Sequence, residues 1–338
     1  MAVDYGTSGP AARSASGAPL PLGEPGAIVT LGEGSTPVVE LGRVAGELGL
    51  ASLVAKLESS NPTGSFKDRG MSVMLSALAE HGVTAFVEDS SGNAGASASA
   101  YAARAGMKAH VFVPESAPAG KVSQIAVYGA TVHRVPGARE RATEAAEAFV
   151  ASSGLPYATH NLSPYFIEGT KSFMYEAFEQ LGDSLPGHMV IPTGNGSLFI
   201  ATHLALIELR DAGHIDRIPR LHAVQVRAAM PIVAAMAGEE WAPDPKVTTV
   251  AGGIASADPP RRSQILAALR GTGGTAVAVD DADIIRWRGV LAKREGVYAE
   301  STSAAAFVGL EKLVEDGTIP RGDSVLVPVT GSGLKEPL

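Results

Sequence analysis

The chain has 338 residues, with 27 basic and 35 acidic side chains for a formal charge of −8, and is 45% hydrophobic but only 5% aromatic. That length suffices for two compact lobes, the acidic balance without a basic run excludes a nucleic-acid partner, and the absence of cysteine removes disulfides, thiolate zinc sites and a cysteine nucleophile, as fits a reducing compartment. No stretch reaches the roughly 18 apolar residues of a membrane span, and the eight histidines are scattered without an HExxH pairing, so neither a membrane partner nor a catalytic metal is expected.

The first 28 residues, MAVDYGTSGPAARSASGAPLPLGEPGAI, are small, polar and rich in proline and glycine. They lack the apolar stretch of a signal peptide and predict a loose arm on a cytoplasmic protein. Beyond NPTGSFKDRG, the run MSVMLSAL carries apolar residues at helical spacing, predicting a docked helix whose methionines are core. From Thr84, TAFVED, SSGNAGASASAYAARAG and KAHVFVP form strand, helix and strand, with Gly106 placed to end the helix in the left-handed conformation. KVSQIAVYGA, TVHRVP, RERATEAAEAFVASSG and PYATH continue as helix, strand, helix and strand. Next come a helix over EGTKSFMYEAFEQLG, a strand HMVIP, a loop TGNGS, a helix LFIATHLALIELRDAG and a strand RLHAVQV. Residues 229–262 are punctuated by proline and predict an irregular surface excursion. The chain resumes with GTAVAV as strand, DADIIRWRGVLAKREG and STSAAAFVGLEKLVEDG as helices, and SVLVPVT as a buried strand. Such alternation defines an α/β protein with parallel strands.

Four features carry chemistry. Lys67 is one of nine lysines, and it stands at a helix mouth behind turn formers, beside Asp68 and Arg69. A partly desolvated lysine near other cations has its ammonium form disfavoured, which frees the amine to attack a carbonyl as a Schiff-base former. For an isolated KDR triplet, the simpler reading of a surface lysine paired with Asp68 would win. The loop DSSGNAGAS (89–97) follows a strand and opens a helix; its hydroxyls, amide and backbone N–H groups suit a carboxylate better than a metal, although Ser and Asn also cap helices without binding anything. TGNGS (193–197) has the same position in another strand–helix unit, where converging amides suit a phosphate; it lacks the third glycine of a dinucleotide fingerprint and is also an ordinary tight turn. VPVTGSG (327–333) puts a hydroxyl at a strand end, where it could meet a ring nitrogen and keep a pyridine unprotonated, as an aspartate would not; read alone, it is merely a strand end with glycines. An amine nucleophile, a carboxylate loop, a phosphate cradle and a hydroxyl for a heteroaromatic nitrogen make one ligand set, which pyridoxal 5′-phosphate with an amino acid fits.

Taken together, NPTGSFKDRG, SSGNAGASASAYAARAG, PTGNGSL, EGVYAESTSAAAFVGL and VTGSGLK resemble threonine synthase, within the fold type II pyridoxal-phosphate enzymes that include serine/threonine dehydratases and cysteine synthases. The similarity runs from LGEGSTPVVEL to the C-terminal end. It implies two open, mostly parallel twisted sheets flanked by helices, with residues 61–154 as a smaller mobile domain carrying Lys67 and the substrate loop. Residues 29–60 and 155–338 would be a larger domain binding the cofactor phosphate, with the cofactor in the cleft at the strands' C-terminal ends, and the assembly would be a homodimer. By the same resemblance Lys67 holds the cofactor as a Schiff base and shuttles protons, and Asn93 contacts its phenolic oxygen. Gly194, Asn195, Gly196 and Ser197 hold its phosphate, and Thr330 faces its pyridine nitrogen. Ser90, Ser91, Gly92 and Ala94 bind the substrate α-carboxylate.

The reaction so implied is γ-elimination of phosphate from O-phospho-L-homoserine followed by addition of water at Cβ to give L-threonine. Two positions depart from the synthase pattern: Phe166 stands where an arginine helps hold the substrate phosphate, and Ser332 where histidine is common. Lys171 or Arg69 would supply the missing charge, unless Lys171 is an exposed helix residue and Arg69 the partner of an acid. The alternatives are β-elimination or β-replacement on serine, threonine or O-phosphoserine, and a non-catalytic binding protein that retains the fold.

Overall fold

The computed structural model describes residues 20–23, 28–137, 139–182, 185–244 and 248–336. In chain order the elements begin with β1 (Val38–Glu40), α1 (Gly42–Leu48), β2 (Ser52–Lys56), α2 (Lys67–Glu80), β3 (Ala85–Glu88), α3 (Asn93–Ala105), β4 (Lys108–Pro114), α4 (Ala119–Val127), β5 (Thr131–Val135) and α5 (Arg139–Ser153). They continue with α6 (Pro164–Thr170), α7 (Ser172–Leu181), β6 (His188–Pro192), α8 (Ser197–Asp211), β7 (Arg220–Val226), α9 (Pro231–Ala237), α10 (Arg262–Thr272), β8 (Ala276–Val279), α11 (Asp281–Val290), α12 (Ser301–Glu315) and β9 (Ser324–Pro328). No helix among the described residues is long and apolar enough to cross a membrane.

The chain divides into two compact units, one of residues 1–35 and 61–173, the other of 36–60 and 174–338. In the first, β3, β4 and β5 form a three-stranded parallel sheet in that order. Its core is alanine-rich: Ala94, Ala96, Ala98, Ala100 and Ala102 of α3 are buried with Met71, Met74 and Leu75 of α2, so the methionines are core, as their spacing predicts. Small side chains let the two helices lie close. Gly106 ends α3 at φ 69°, the left-handed cap expected of it.

Four expectations change here. Of the predicted N-terminal arm, residues 1–19 and 24–27 lie outside the described residues, but Leu20 and Leu22 are buried against Val73 and Ala77 of α2, because apolar side chains at both positions can cover that helix. PYATH contributes only a single bridge, Tyr157 to Val87; Pro156 has no N–H to extend a ladder. The predicted helix over EGTKSFMYEAFEQLG is two helices, α6 and α7, separated at Lys171, and Ser163 caps α6 by accepting from the Phe166 N–H. Residues 29–35 and 155–173, assigned from the sequence to the larger domain, belong to the unit of Lys67; for the second stretch the cause is visible. The reason is close helix contact: a Cβ on Gly169 would lie 2.4 Å from the Arg69 carbonyl oxygen, and one on Gly70 2.6 Å from the Phe166 ring.

The second unit is a six-stranded sheet in the order β1-β2-β9-β6-β7-β8, with every neighbouring pair parallel except β1 with β2. HMVIP and SVLVP are interior strands flanked on both sides, as their unbroken apolar character predicts. α12 is buried along most of its length and meets β7 where Gly309 has no side chain; a Cβ there would come 2.3 Å from Val224 Cγ2. The excursion over 229–262 is less irregular than expected, since it contains α9, begun by Pro231, and a 3-10 turn over Gly252–Ile254. Proline at a helix start needs no N–H and comes with helical φ.

Candidate functional site

In the first unit Lys67 is the opening residue of α2. Its Nζ lies 4.5 Å from the centroid of the Phe66 ring and 5.4 Å from that of Phe166, so aromatic faces form part of its surroundings. Asp68 is buried and accepts from the Thr63 N–H at 2.7 Å, the Thr63 hydroxyl at 2.6 Å and the Ser97 hydroxyl at 2.6 Å. It ties the turn before Lys67 to α3, and it places a negative charge in the first turn of α2, where the helix dipole favours one. In the second unit the Lys56 Nζ is buried and engaged by Glu176, Gln180 and the Thr36 carbonyl.

The loop 89–94 opens α3. Neither serine nor asparagine caps the helix; the cap position is Gly92, without a side-chain cap bond. The first backbone bond of the helix is Ala96 N–H to Gly92 O, so the amides of Asn93, Ala94 and Gly95 head the helix in the manner of an anion-binding terminus. Ser90 Oγ accepts from the Gly92 N–H at 3.3 Å. Gly95 is required: a Cβ there would meet the Ser90 carbonyl oxygen at 1.9 Å. The structure thus gathers Ser90, Ser91, Gly92, Asn93 and Ala94 at one helix start, with α2 and its Lys67 packed beside α3 through Asp68 and Ser97.

Lys171 lies in the same unit at the end of α6. It is buried and its Nζ is 2.5 Å from Glu168 Oε2, so it is not the exposed helix residue of the simpler expectation. Arg69 is buried and donates to Ser172 Oγ at 3.3 Å. Phe166 fills the space that Gly70 leaves open. Sequence reasoning missed a buried pair, His160 Nδ1 to Glu88 Oε1 at 3.0 Å, with the His160 ring edge-on to Phe166 at 5.5 Å. Burial pushes the Glu88 carboxyl well up and the His160 imidazole well down, and the charge of Lys67 acts on both. An acid inside the apolar strand TAFVED was the available signal.

In the second unit β6 and β9 are parallel neighbours, so the loops that follow them leave from the same edge of the sheet. Gly194 has its α-carbon against the backbone of Gly253 and Ile254; a Cβ would lie 2.9 Å from Ile254 Cα. Gly196 has φ 84°, and a Cβ would lie 2.4 Å from Ile265 Cδ1. Asn195 Oδ1 accepts from Ser256 Oγ at 2.6 Å. The first bond into α8 is Ile200 N–H to Gly196 O, leaving the amides of Ser197, Leu198 and Phe199 at the head of a 15-residue helix. Backbone donors beside glycines that admit no side chain fit a phosphate. Thr330 is buried after β9, its Oγ1 3.0 Å from Glu300 Oε1 and 2.9 Å from Ser303 Oγ. Ser332 caps the turn that follows by accepting from Leu334 N–H.

Each unit is a mostly parallel sheet whose strand-to-helix loop heads a helix with amide donors, the architecture of an α/β protein with anion-binding helix starts. The fold is that of maize serine racemase, with a TM-score of 0.74 and 22% identity over 88% of each chain. The family described as pyridoxal-phosphate dependent enzyme matches residues 29–331. A threonine synthase of Methanocaldococcus jannaschii is 36% identical over 94% of this chain and 79% of its own; one of Bacillus sp. ULM1 is 36% identical over 94% and 88%. The chain belongs to the pyridoxal-phosphate dependent enzymes and, among them, to the threonine synthase family. It is a threonine synthase-like lyase whose cofactor is pyridoxal phosphate.

Proposed function

We propose that the enzyme converts O-phospho-L-homoserine and water to L-threonine and inorganic phosphate. The carrying observation is the identity with threonine synthases along nearly the whole chain. The helix-mouth placement of Lys67 and the amide-rich starts of α3 and α8 support it. Lys67 would hold the cofactor through its aldehyde carbon; Gly194, Asn195, Gly196 and Ser197 would take its phosphate, Asn93 its phenolic oxygen, and Thr330 its ring nitrogen. Bound pyridoxal phosphate supplies the electron sink. Ser90, Ser91, Gly92 and Ala94 orient the substrate through its α-carboxylate. With the substrate bound, Lys67 would be the acid and base of the reaction, removing protons at Cα and Cβ as phosphate leaves Cγ and returning protons at Cγ and Cα, while water gives its hydroxyl to Cβ and its remaining proton to the phosphate. The Glu168 carboxylate beside Lys171 offsets the charge that Lys171 would bring to a phosphate, so we assign Lys171 the supporting part. The working assembly is a cytoplasmic homodimer, which sedimentation and fractionation measure.

Supplying O-phospho-L-homoserine should release phosphate and threonine in equal amounts. Formation of 2-oxobutanoate from threonine, with no phosphate release, would replace this reading with a dehydratase. Lys67→Ala should lose the visible absorbance of the loaded protein; a variant that stays coloured would exclude Lys67 as the residue that holds the cofactor.

A further inference from the structure

In the second unit, α1, α11 and α12 line a cavity of about 220 Å³. Arg321, just before β9, lines it as well, so it lies at the end of that strand opposite Thr330. Val44, Leu48, Trp287, Val290 and Val314 give it an apolar wall, and Val44, Trp287 and Val314 are buried. The gap between α1 and α11 is braced. After α11 the backbone takes a π-helical turn over Leu291–Glu295, and two neighbouring side chains of that turn hold α1. Glu295 Oε1 accepts from the Val44 N–H at 2.7 Å, and Arg294 Nη2 is 3.4 Å from Glu47 Oε1. Turns of this kind inside helices recur at functional sites.

The charges around the cavity decide what it can take. Arg286 is paired with Glu311 and Asp283, Glu311 also accepts from Trp287 Nε1 at 2.9 Å, and Glu47 is answered by Arg294. Two charged lining groups remain. Arg321 lies over Gly49, where a Cβ would come 2.9 Å from its Nη1, and Glu315 stands in the last turn of α12. Neither has a hydrogen-bond or ion-pair partner among the described residues, and they are not paired with each other. The volume is below the roughly 300–1,000 Å³ of sites for drug-sized molecules, so the occupant is small. A plain carboxylate would leave Glu315 unanswered, and a plain amine would leave Arg321 so. We propose that this cavity binds a free α-amino acid with a short aliphatic side chain, its carboxylate on Arg321, its ammonium on Glu315 and its side chain against Trp287. The planar fork of arginine suits a carboxylate, and the apolar wall takes the aliphatic part out of water. The loop assigned to the substrate α-carboxylate, residues 90–94, belongs to the other unit, so this is a second amino-acid site.

The chain has two tryptophans, Trp241 and Trp287, so Trp241→Phe leaves Trp287 as the one indole reporter. L-Valine, L-isoleucine and L-threonine are titrated to millimolar concentration into the cofactor-loaded variant, with visible absorbance followed alongside to register events at the cofactor. At least one of them should give a saturable change in Trp287 emission whose midpoint differs from that of any change in visible absorbance. The N-acetyl and amide derivatives of that amino acid, each lacking one charge, should bind at least about tenfold more weakly. So should the amino acid itself in Arg321→Ala and in Glu315→Gln, two exposed positions where substitution leaves the fold intact. Emission unmoved by all three amino acids overturns the proposal. So does an affinity unchanged in either variant, or an emission change that shares its midpoint with the visible band. Should Trp241→Phe not fold, calorimetric titration of the wild-type protein and of the two charge variants reads the same constants.

Discussion

Asp68 shows what a single residue does for the lysine beside it. It accepts three hydrogen bonds from Thr63 and Ser97, all buried, and so braces the turn that delivers Lys67. Asp68→Ala leaves those donors without their acceptor. At roughly 1–3 kcal/mol for a buried group left unsatisfied, the variant should lose at least that much stability in urea unfolding and take up cofactor poorly. The position of Lys67 at a helix mouth was legible from the turn formers before it, but the partner of Asp68 was not: Ser97 is 29 residues away, and only the folded chain brings them together. His222 makes a prediction about pH. Burial and the neighbouring His188 lower its pKa from 6.5 to about 3, and His188 Nδ1 is 2.9 Å from His222 Nε2. The unfolded chain therefore binds a proton that the folded one refuses, so the contribution is intact above pH 6.5 and falls away as pH drops toward 3. The slope approaches about 1.4 kcal/mol per pH unit inside that window. His222→Gln should flatten stability against pH there, as read from urea midpoints.

At the scale of elements, glycine decides how closely helices approach their neighbours. α12 can lie on β7 because Gly309 has no Cβ to meet Val224 at 2.3 Å. Gly309→Ala should cost about 1–3 kcal/mol through overpacking, and adding Val224→Ala should recover part of the loss, with a coupling of at least about 0.5 kcal/mol in the double-mutant cycle. The alternation of strands and helices was legible from the apolar runs and from punctuation such as Gly106. Two elements were not. PYATH has the composition of a strand but a proline within it, and the break at Lys171 follows from the Ser172 hydroxyl donating to the Gly169 carbonyl, a local bond that helical periodicity does not register. The starts of α3 and α8 were read as donor-rich loops, yet the cap residues are Gly92 and Gly196, so the serines and Asn93 do not take the capping role that their types suggest.

At the scale of the molecule, the sequence showed two groups of parallel strands but not where they divide, because Gly70 and Gly169 carry α6 into the unit of Lys67 through contacts that no composition shift marks. Nor did it show the order of the larger sheet. β9 sits between β2 and β6, although 131 residues separate β6 from it and many more separate β2. Without β9 the strands fall into β1-β2 on one side and β6-β7-β8 on the other, each with an unpaired edge. A chain ended before Ser324 should expose the amides of β6 to rapid hydrogen exchange while those of β3 and β4 stay protected. For a chain made from its N-terminus, the order has a cost in time. The segment bearing Lys67 has all its strands as soon as residue 135 has left the ribosome, whereas β2 must wait through the synthesis of everything up to Pro328. During that wait its apolar edge is open to other nascent chains, so crowding on polysomes, more than the stability of the finished fold, should limit how much of this enzyme a cell can make at once.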